Sequence, residues 1–316
     1  MQSKLYILAV MLAGLVVVNV LFVVPVPSAP VPILNNLLKP SQGLAVSATQ
    51  AYLLPISEPS YFPIYDAKTE KPEIGAKAGL VYDTRSGRFL FAKNPKIKLP
   101  VASLTKILSA VVVLENFDTK EAIVIPKEVL KVDDEKQSLY LGEEITVQNL
   151  LKMMLIESSN DAAYALAYYA NGKGINFAEK MNEKARLLSM NDSNFLDPAG
   201  LNDDAYSTSE DLVKLIRYSF KYDLIWEILT EKSIVVKSTD GKIEHKLENT
   251  NQLLGVVPDI FGGKTGYTDS ALGGMILVVD IPDKNDKLIS VVLGSRSRFD
   301  NTKKLIDWVK SAYRWD

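Results

Sequence analysis

Hydrophobic and polar positions alternate along this chain in three distinguishable ways. From Leu5 to Val24 there is no alternation: 20 uncharged residues follow Lys4 without a break. At about 1.5 Å per helical residue they span roughly 30 Å, the hydrocarbon thickness of a bilayer. Prolines then recur from Pro25 to Pro72, with Lys39 and Glu58 the only charges before Asp66, which reads as a semi-rigid extended linker. From about Ala76 the pattern becomes that of a packed domain.

Within that domain the periods separate strands from helices. Ala78–Asp83 and Phe89–Ala92 are short apolar runs about the turn Thr84-Arg85-Ser86-Gly87, a hairpin signature. Ser103 opens a helix whose buried positions include Ile107, Ala110, Val111 and Leu114. Thr146 is placed to cap the next helix, with Leu150, Leu151, Met154 and Leu155 on its inner stripe. Helices are also predicted over 161–170, 176–188, 209–220 and 302–313. Strands are predicted over 274–281 and 288–294, joined by a polar turn. Strands at both ends with helices between them predict an α+β domain, in which the terminal parts form one antiparallel sheet and a helical lobe is inserted. The resulting organisation is 1–24 as a transmembrane signal anchor or signal peptide, 25–74 as linker, and 75–316 as catalytic domain.

Composition narrows the chemistry. There is no cysteine, hence no disulfide and no thiolate nucleophile, and a single histidine, His245, in a charged stretch that suggests an exposed or strand-borne side chain. One histidine makes a catalytic zinc site or a Ser-His-Asp triad improbable, and no metal or cofactor is expected. The formal net charge of −2 and the absence of a basic run argue against nucleic acid as a partner.

Three short motifs carry the remaining chemistry, in the order Ser103-Leu104-Thr105-Lys106, Ser158-Ser159-Asn160 and Lys264-Thr265-Gly266. A serine three residues before a lysine on a helix brings hydroxyl and amine to one face, so Lys106 can be the base that makes Ser103 a nucleophile. A helix start also offers the Ser103 N–H as half of an oxyanion hole. Lys106 must spend part of the cycle neutral, and burial near a second cation, Lys264, lowers its pKa. Ser158 is placed to relay a proton to a leaving amine, and Asn160 to hold Lys106 and a substrate carbonyl. Gly266 lets a substrate backbone approach a strand edge. The Tyr267 N–H supplies the second oxyanion donor, while Lys264, Thr265 and Thr268 make a carboxylate pocket.

With these residues in place, residues 75–316 resemble the D-alanyl-D-alanine carboxypeptidases, low-molecular-mass penicillin-binding proteins related to serine β-lactamases. The likeness extends to residues 155–163, to Asp197-Pro198-Ala199-Gly200-Leu201, to Asn249-Thr250-Asn251 and to Arg298-Phe299. It implies a β-lactamase/transpeptidase-like fold and an acyl-enzyme on Ser103, formed from peptidoglycan stem peptides ending in D-Ala-D-Ala. It also implies covalent inhibition by β-lactams. Arg298 and Thr265 are then expected to grip the substrate's terminal carboxylate. Three features depart from the family pattern: no β-rich domain follows, the membrane segment is N-terminal, and Asp197 stands where Asn is usual. No glutamate matches the deacylation arrangement of class A β-lactamases, which argues against rapid β-lactam hydrolysis. A D,D-endopeptidase acting on cross-links is the alternative reading, and an inactive wall-binding protein is disfavoured by the intact motifs. The apolar segment, with Lys4 on the cytoplasmic side, predicts an extracytoplasmic domain held at the cell membrane.

Overall fold

Five strands, most of their residues buried, organise the domain. The computed structural model describes residues 62–132, 138–284 and 286–315. In chain order these form β1 (Ile64–Tyr65), β2 (Ala76–Asp83), β3 (Phe89–Lys93), a 3₁₀ turn (Ala102–Thr105) and α1 (Lys106–Asn116). β4 (Ala122–Val124), β5 (Glu144–Thr146), α2 (Val147–Ile156), α3 (Asn160–Gly172), α4 (Phe177–Leu187), α5 (Ser209–Ser219) and α6 (Asp223–Thr230) follow. The chain closes with β6 (Ser233–Lys237), β7 (Glu244–Glu248), β8 (Ile260–Thr268), β9 (Leu272–Ile281), β10 (Asp286–Ser295), α7 (Arg298–Ala312) and β11 (Tyr313–Arg314).

The main sheet is antiparallel in the order β3-β2-β10-β9-β8, so the two ends of the domain do meet in one sheet. Alternate residues face opposite ways along each strand, and both faces are covered. Leu80, Ile276, Val278, Ile289, Val291 and Leu293 pack toward the helical lobe with Leu104, Ile107 and Leu108. Val81, Met275, Leu277, Val279, Leu288 and Val292 pack instead against Leu305, Ile306 and Val309 of α7. Each such side chain contributes about 1.5–3 kcal/mol by leaving water. β8 is an edge strand, with one side open to the cleft beneath the lobe.

The structure redraws several expected boundaries. Lys264-Thr265-Gly266 lies on its own edge strand, β8, which pairs with β9 from Ile260 to Thr268. The glycines of this stretch hide it from an apolar-run search, so three late strands exist where two were expected. Ser103 sits in a 3₁₀ turn, and the α-helix proper starts at Lys106. The folded unit also begins earlier than Ala76. Ile64 and Tyr65 pair with Arg314 and Tyr313, and the Asp66 N–H donates to the Ala312 carbonyl at 2.8 Å. Residues 62–74 are therefore part of the packed domain rather than of an extended linker. The apolar segment 5–24 and the linker as far as residue 61 lie outside the described residues; among those described, no helix is long and apolar enough to cross a membrane.

His245 is strand-borne, as one of the two expected alternatives had it, but it is buried rather than exposed. On β7 its Nε2 lies 2.6 Å from Glu143 Oε1, and that contact raises the imidazole pKa against the opposing effect of burial.

Candidate active site

The serine turn is shaped by its neighbours before any chemistry enters. Ala102 adopts φ 48°, the left-handed region, which swings Ser103 out of the preceding extended segment. One turn later Lys106 begins α1 with its side chain fully buried. Its ammonium has three acceptors on hand: Ser103 Oγ at 2.7 Å, Asn160 Oδ1 at 2.7 Å and the Ala199 carbonyl at 3.1 Å. Burying a charge is costly unless it is hydrogen-bonded, and this set meets that requirement. When Lys106 gives up a proton, the 2.7 Å contact can reverse, with the Ser103 hydroxyl donating to Nζ.

The second motif occupies the junction of α2 and α3. Ser159 caps α3, its Oγ accepting from the Ala162 N–H at 3.1 Å. Asp161 accepts from the backbone N–H groups of Ser138 and Leu139 at 2.7 and 2.8 Å, and its carboxylate also meets the Ser159 hydroxyl. These bonds pin the segment 138–140 to the junction. Ser158 stands at φ 67°, a strained position for a residue with a side chain. The surrounding caps hold it there.

Lys264 completes the cluster from β8. Only 1% exposed, its Nζ donates to Ser158 Oγ at 2.8 Å and to the Thr265 carbonyl at 3.1 Å. Burial, and then the charges of Lys106 and Arg298, push its pKa well below the ordinary lysine value. The sequence expected Lys264 to lower the pKa of Lys106; the effect seen here is the converse, the Lys106 charge lowering that of Lys264.

Gly266 takes a part that the sequence did not predict. A Cβ at that position would stand 3.0 Å from the Val101 carbonyl oxygen and 3.1 Å from the Ser103 nitrogen. Its missing side chain lets β8 approach the serine turn, bringing the Ser103 and Tyr267 backbones alongside one another. Gly200, at φ 78°, does the same from below: a Cβ there would lie 2.0 Å from the Ala102 carbonyl oxygen.

The proposed carboxylate set is divided between the two faces of the sheet. Strand alternation sends Lys264 and Thr268 toward the lobe and Thr265 the other way. Thr265 Oγ1 is 2.6 Å from Thr250 Oγ1. Thr268 Oγ1 accepts from the Ala271 N–H at 3.0 Å and lies 3.4 Å from Asp203 Oδ1. Arg298 opens α7 on the same side as Thr265, its stem packed against Gly273. It is half-buried, burial lowers its pKa, and its Nε has no hydrogen-bond partner among the described residues. A carboxylate reaching all of these groups would lie across the open edge of β8. Tyr267 presents its backbone to that edge while its side chain is largely exposed, with the hydroxyl donating to Asp269 at 3.1 Å.

Sequence reasoning assigned no role to Ala199, Thr250 or Asp203. The first had a detectable signal, because Asp-Pro-x-Gly is turn chemistry that presents its carbonyls in fixed directions. The other two are brought to the site only by tertiary packing. Among the described residues, no group of three His, Asp or Glu side chains is placed to hold a metal ion.

Residues 66–297 match the family profile described as D-alanyl-D-alanine carboxypeptidase. The chain is 30% identical over 266 residues to D-alanyl-D-alanine carboxypeptidase DacF of Bacillus subtilis (strain 168), covering 81% of this chain and 67% of that protein. It is also 30% identical over 255 residues to the D-alanyl-D-alanine endopeptidase of Escherichia coli (strain K12), covering 76% and 79%. Among solved structures, the D-alanyl-D-alanine carboxypeptidase of Mycobacterium tuberculosis H37Rv superposes with a TM-score of 0.71 at 26% identity, over 78% of this chain and 96% of that one. The Streptomyces K15 DD-transpeptidase gives 0.71 at 27% identity, over 77% and 99%.

Proposed function

Because the chain belongs to the D-alanyl-D-alanine carboxypeptidase family, we propose that it is a serine-type D-Ala-D-Ala carboxypeptidase that trims peptidoglycan stem peptides and is acylated by β-lactams. The observation that carries the assignment to these particular side chains is the hydrogen-bonded chain Asn160–Lys106–Ser103, with Lys264–Ser158 beside it.

In this reading Lys106, as the free amine, takes the Ser103 hydroxyl proton while Oγ bonds to the carbonyl carbon of the penultimate D-alanine. The carbonyl oxygen becomes an oxyanion between the Ser103 and Tyr267 N–H groups. The C–N bond then breaks, and the departing D-alanine amine takes a proton through Ser158, whose hydroxyl is replenished from the neighbouring lysines. Water attacks the Ser103 ester, giving a proton to Lys106; Lys106 passes it to Ser103 Oγ as the ester C–O bond breaks, and the shortened peptide leaves as the acid. Lys264, with Thr265 and Arg298 across the β8 edge, neutralises the substrate's terminal carboxylate.

The work is done outside the cell, with the domain held at the membrane by residues 5–24. The unbroken apolar run behind Lys4 supports this placement, as does the location of the substrate polymer. Recovery of the full chain in the membrane fraction, with its domain open to external protease, is expected; a soluble form starting after residue 29 or 48 contradicts it.

A second reading, D,D-endopeptidase, is favoured by the 30% identity to the Escherichia coli endopeptidase. Purified muropeptide monomers and cross-linked dimers offered together separate the two. Free D-alanine from the monomer is the expected product. Conversion of dimer to monomer without free D-alanine would replace the carboxypeptidase with the endopeptidase.

A further inference from the structure

Asp197 is buried, and its carboxylate accepts from four backbone N–H groups. Oδ1 takes those of Ala199, Gly200 and Leu201 at 2.8, 2.6 and 3.1 Å, and Oδ2 takes that of Asn202 at 2.8 Å. The loop so wound is built into the reactive turn. Its Pro198 carbonyl accepts from Ser109 Oγ on α1 at 2.7 Å, and its Gly200 is wedged against the Ala102 carbonyl. Its Ala199 carbonyl accepts from Lys106 Nζ at 3.1 Å. One peptide unit therefore separates a buried anion from the amine that must carry and release the serine's proton.

We propose that Asp197 is a positioning residue for Lys106: it fixes the Ala199 carbonyl on Nζ and, through its buried negative charge, sets the pH at which Lys106 becomes the base for Ser103. This rests on Lys106 being that base. A nearby anion favours the ammonium form of a lysine. Tyr164 reports the same charge from the far side of the loop, its pKa pushed up to about 12 by burial and by Asp197.

The other charged groups around Lys106 act differently. The charges of Lys106 and Arg298 lower the pKa of Lys264 on β8, so the three cations oppose one another. Glu157 at the end of α2 is drawn toward its neutral form by burial, and Asp161 on α3 is directed to Ser138 and Leu139. Asp197 is thus the anion that offsets these cations. Neutral Asn at this position would keep the Oδ1 contacts and lose both the charge and the Asn202 contact, which places the departure from the family pattern at a position that tunes the base.

The test is the second-order rate of acylation of the full-length protein by a fluorescent penicillin, measured against pH. The acid limb of that profile reports the base in the free enzyme. In Asp197→Asn the limb should move to lower pH by on the order of one unit, the scale of one nearby buried charge. Asp197→Glu, which keeps the charge but displaces the loop, should slow acylation with the limb near its wild-type position. Should the Asn variant not fold, Asp197→Ser supplies the neutral side chain. A neutral variant that lowers thermal stability and rate at every pH, with the limb unmoved, overturns the proposal. An active Lys106→Arg enzyme instead removes the assignment of Lys106 as base and leaves the loop geometry intact.

Discussion

Lys264 Nζ donates to Ser158 Oγ across 2.8 Å, joining a residue of the sheet edge to one of the helical lobe 106 positions earlier in the chain. The bond crosses the cleft between the two halves of the domain. It leaves a lysine with almost no solvent in direct electrostatic opposition to Lys106. Such an arrangement is expensive for folding and useful for proton transfer, so stability and activity should respond to it in opposite directions.

The first prediction follows directly. Lys264→Met should fold at least as stably as the wild type near neutral pH while its acylation rate falls. The folded-state pKa of Lys264 is depressed, so the unfolded chain binds more protons between that value and the ordinary 10.5. Wild-type stability should therefore rise with pH through this window, and the variant should lack that contribution. Melting temperatures of both proteins, measured through this window, check it; identical pH slopes would contradict it.

A second prediction concerns the direction of proton transfer. Lys106→Ala should slow acylation by about 10²- to 10⁴-fold, the usual contribution of a positioned base. Lys106→Arg should be nearly as slow, because a guanidinium does not deprotonate. Stopped-flow acylation of each variant gives the ratio.

Gly266→Ala tests the approach of β8 to the serine turn. A methyl group would press on the Val101 carbonyl oxygen and the Ser103 nitrogen at 3.0 and 3.1 Å, both of them backbone atoms that cannot rotate away. Overpacking of this kind costs about 1–3 kcal/mol, and here it also spreads the two oxyanion donors. Acylation should fall further than the stability loss accounts for. Equal rates in variant and wild type would show that the contact does not matter.

His245 offers a titration with one reporter, since the chain has no other histidine. The Glu143 contact raises its pKa, so the folded state holds the proton more tightly than the unfolded chain. The resulting stabilisation is fully present below the unfolded value of about 6.5 and is lost as pH rises through the raised folded value. Glu143→Gln should return the imidazole pKa toward or below the ordinary range, and a single-residue NMR titration reads the shift. An unchanged midpoint would contradict the pairing.

The site was legible in the sequence to the extent that its residues travel in contiguous motifs. Ser103 with Lys106 is local geometry, and Lys106 Nζ meets Ser103 Oγ as the spacing implies, whereas Ser158 and Asn160 share a motif but turn to different lysines. The sequence marked Gly266 as a close approach for a substrate backbone, and the contact with the serine turn appears only in the fold. The helix periods around Val111, Leu151 and Leu215 marked their elements because burial on one face repeats there. β1 and β11 were invisible: two-residue strands carry no period, and Tyr65 meets Tyr313 only through the tertiary fold. The burial of His245 depends on Glu143, far away in sequence, and nothing in the Lys-Ile-Glu-His-Lys stretch announces it. Asp197 was noted as an unusual residue, but its effect on Lys106 required the Ala199 carbonyl to be placed in space.

The central claim is that Ser103 becomes the acyl-enzyme. Labelled penicillin incubated with the full-length protein, followed by proteolysis and mass spectrometry, locates the adduct. The account predicts a single acylated peptide carrying the label on Ser103, and none in Ser103→Ala. Label on any other residue, or undiminished labelling of the alanine variant, would contradict it.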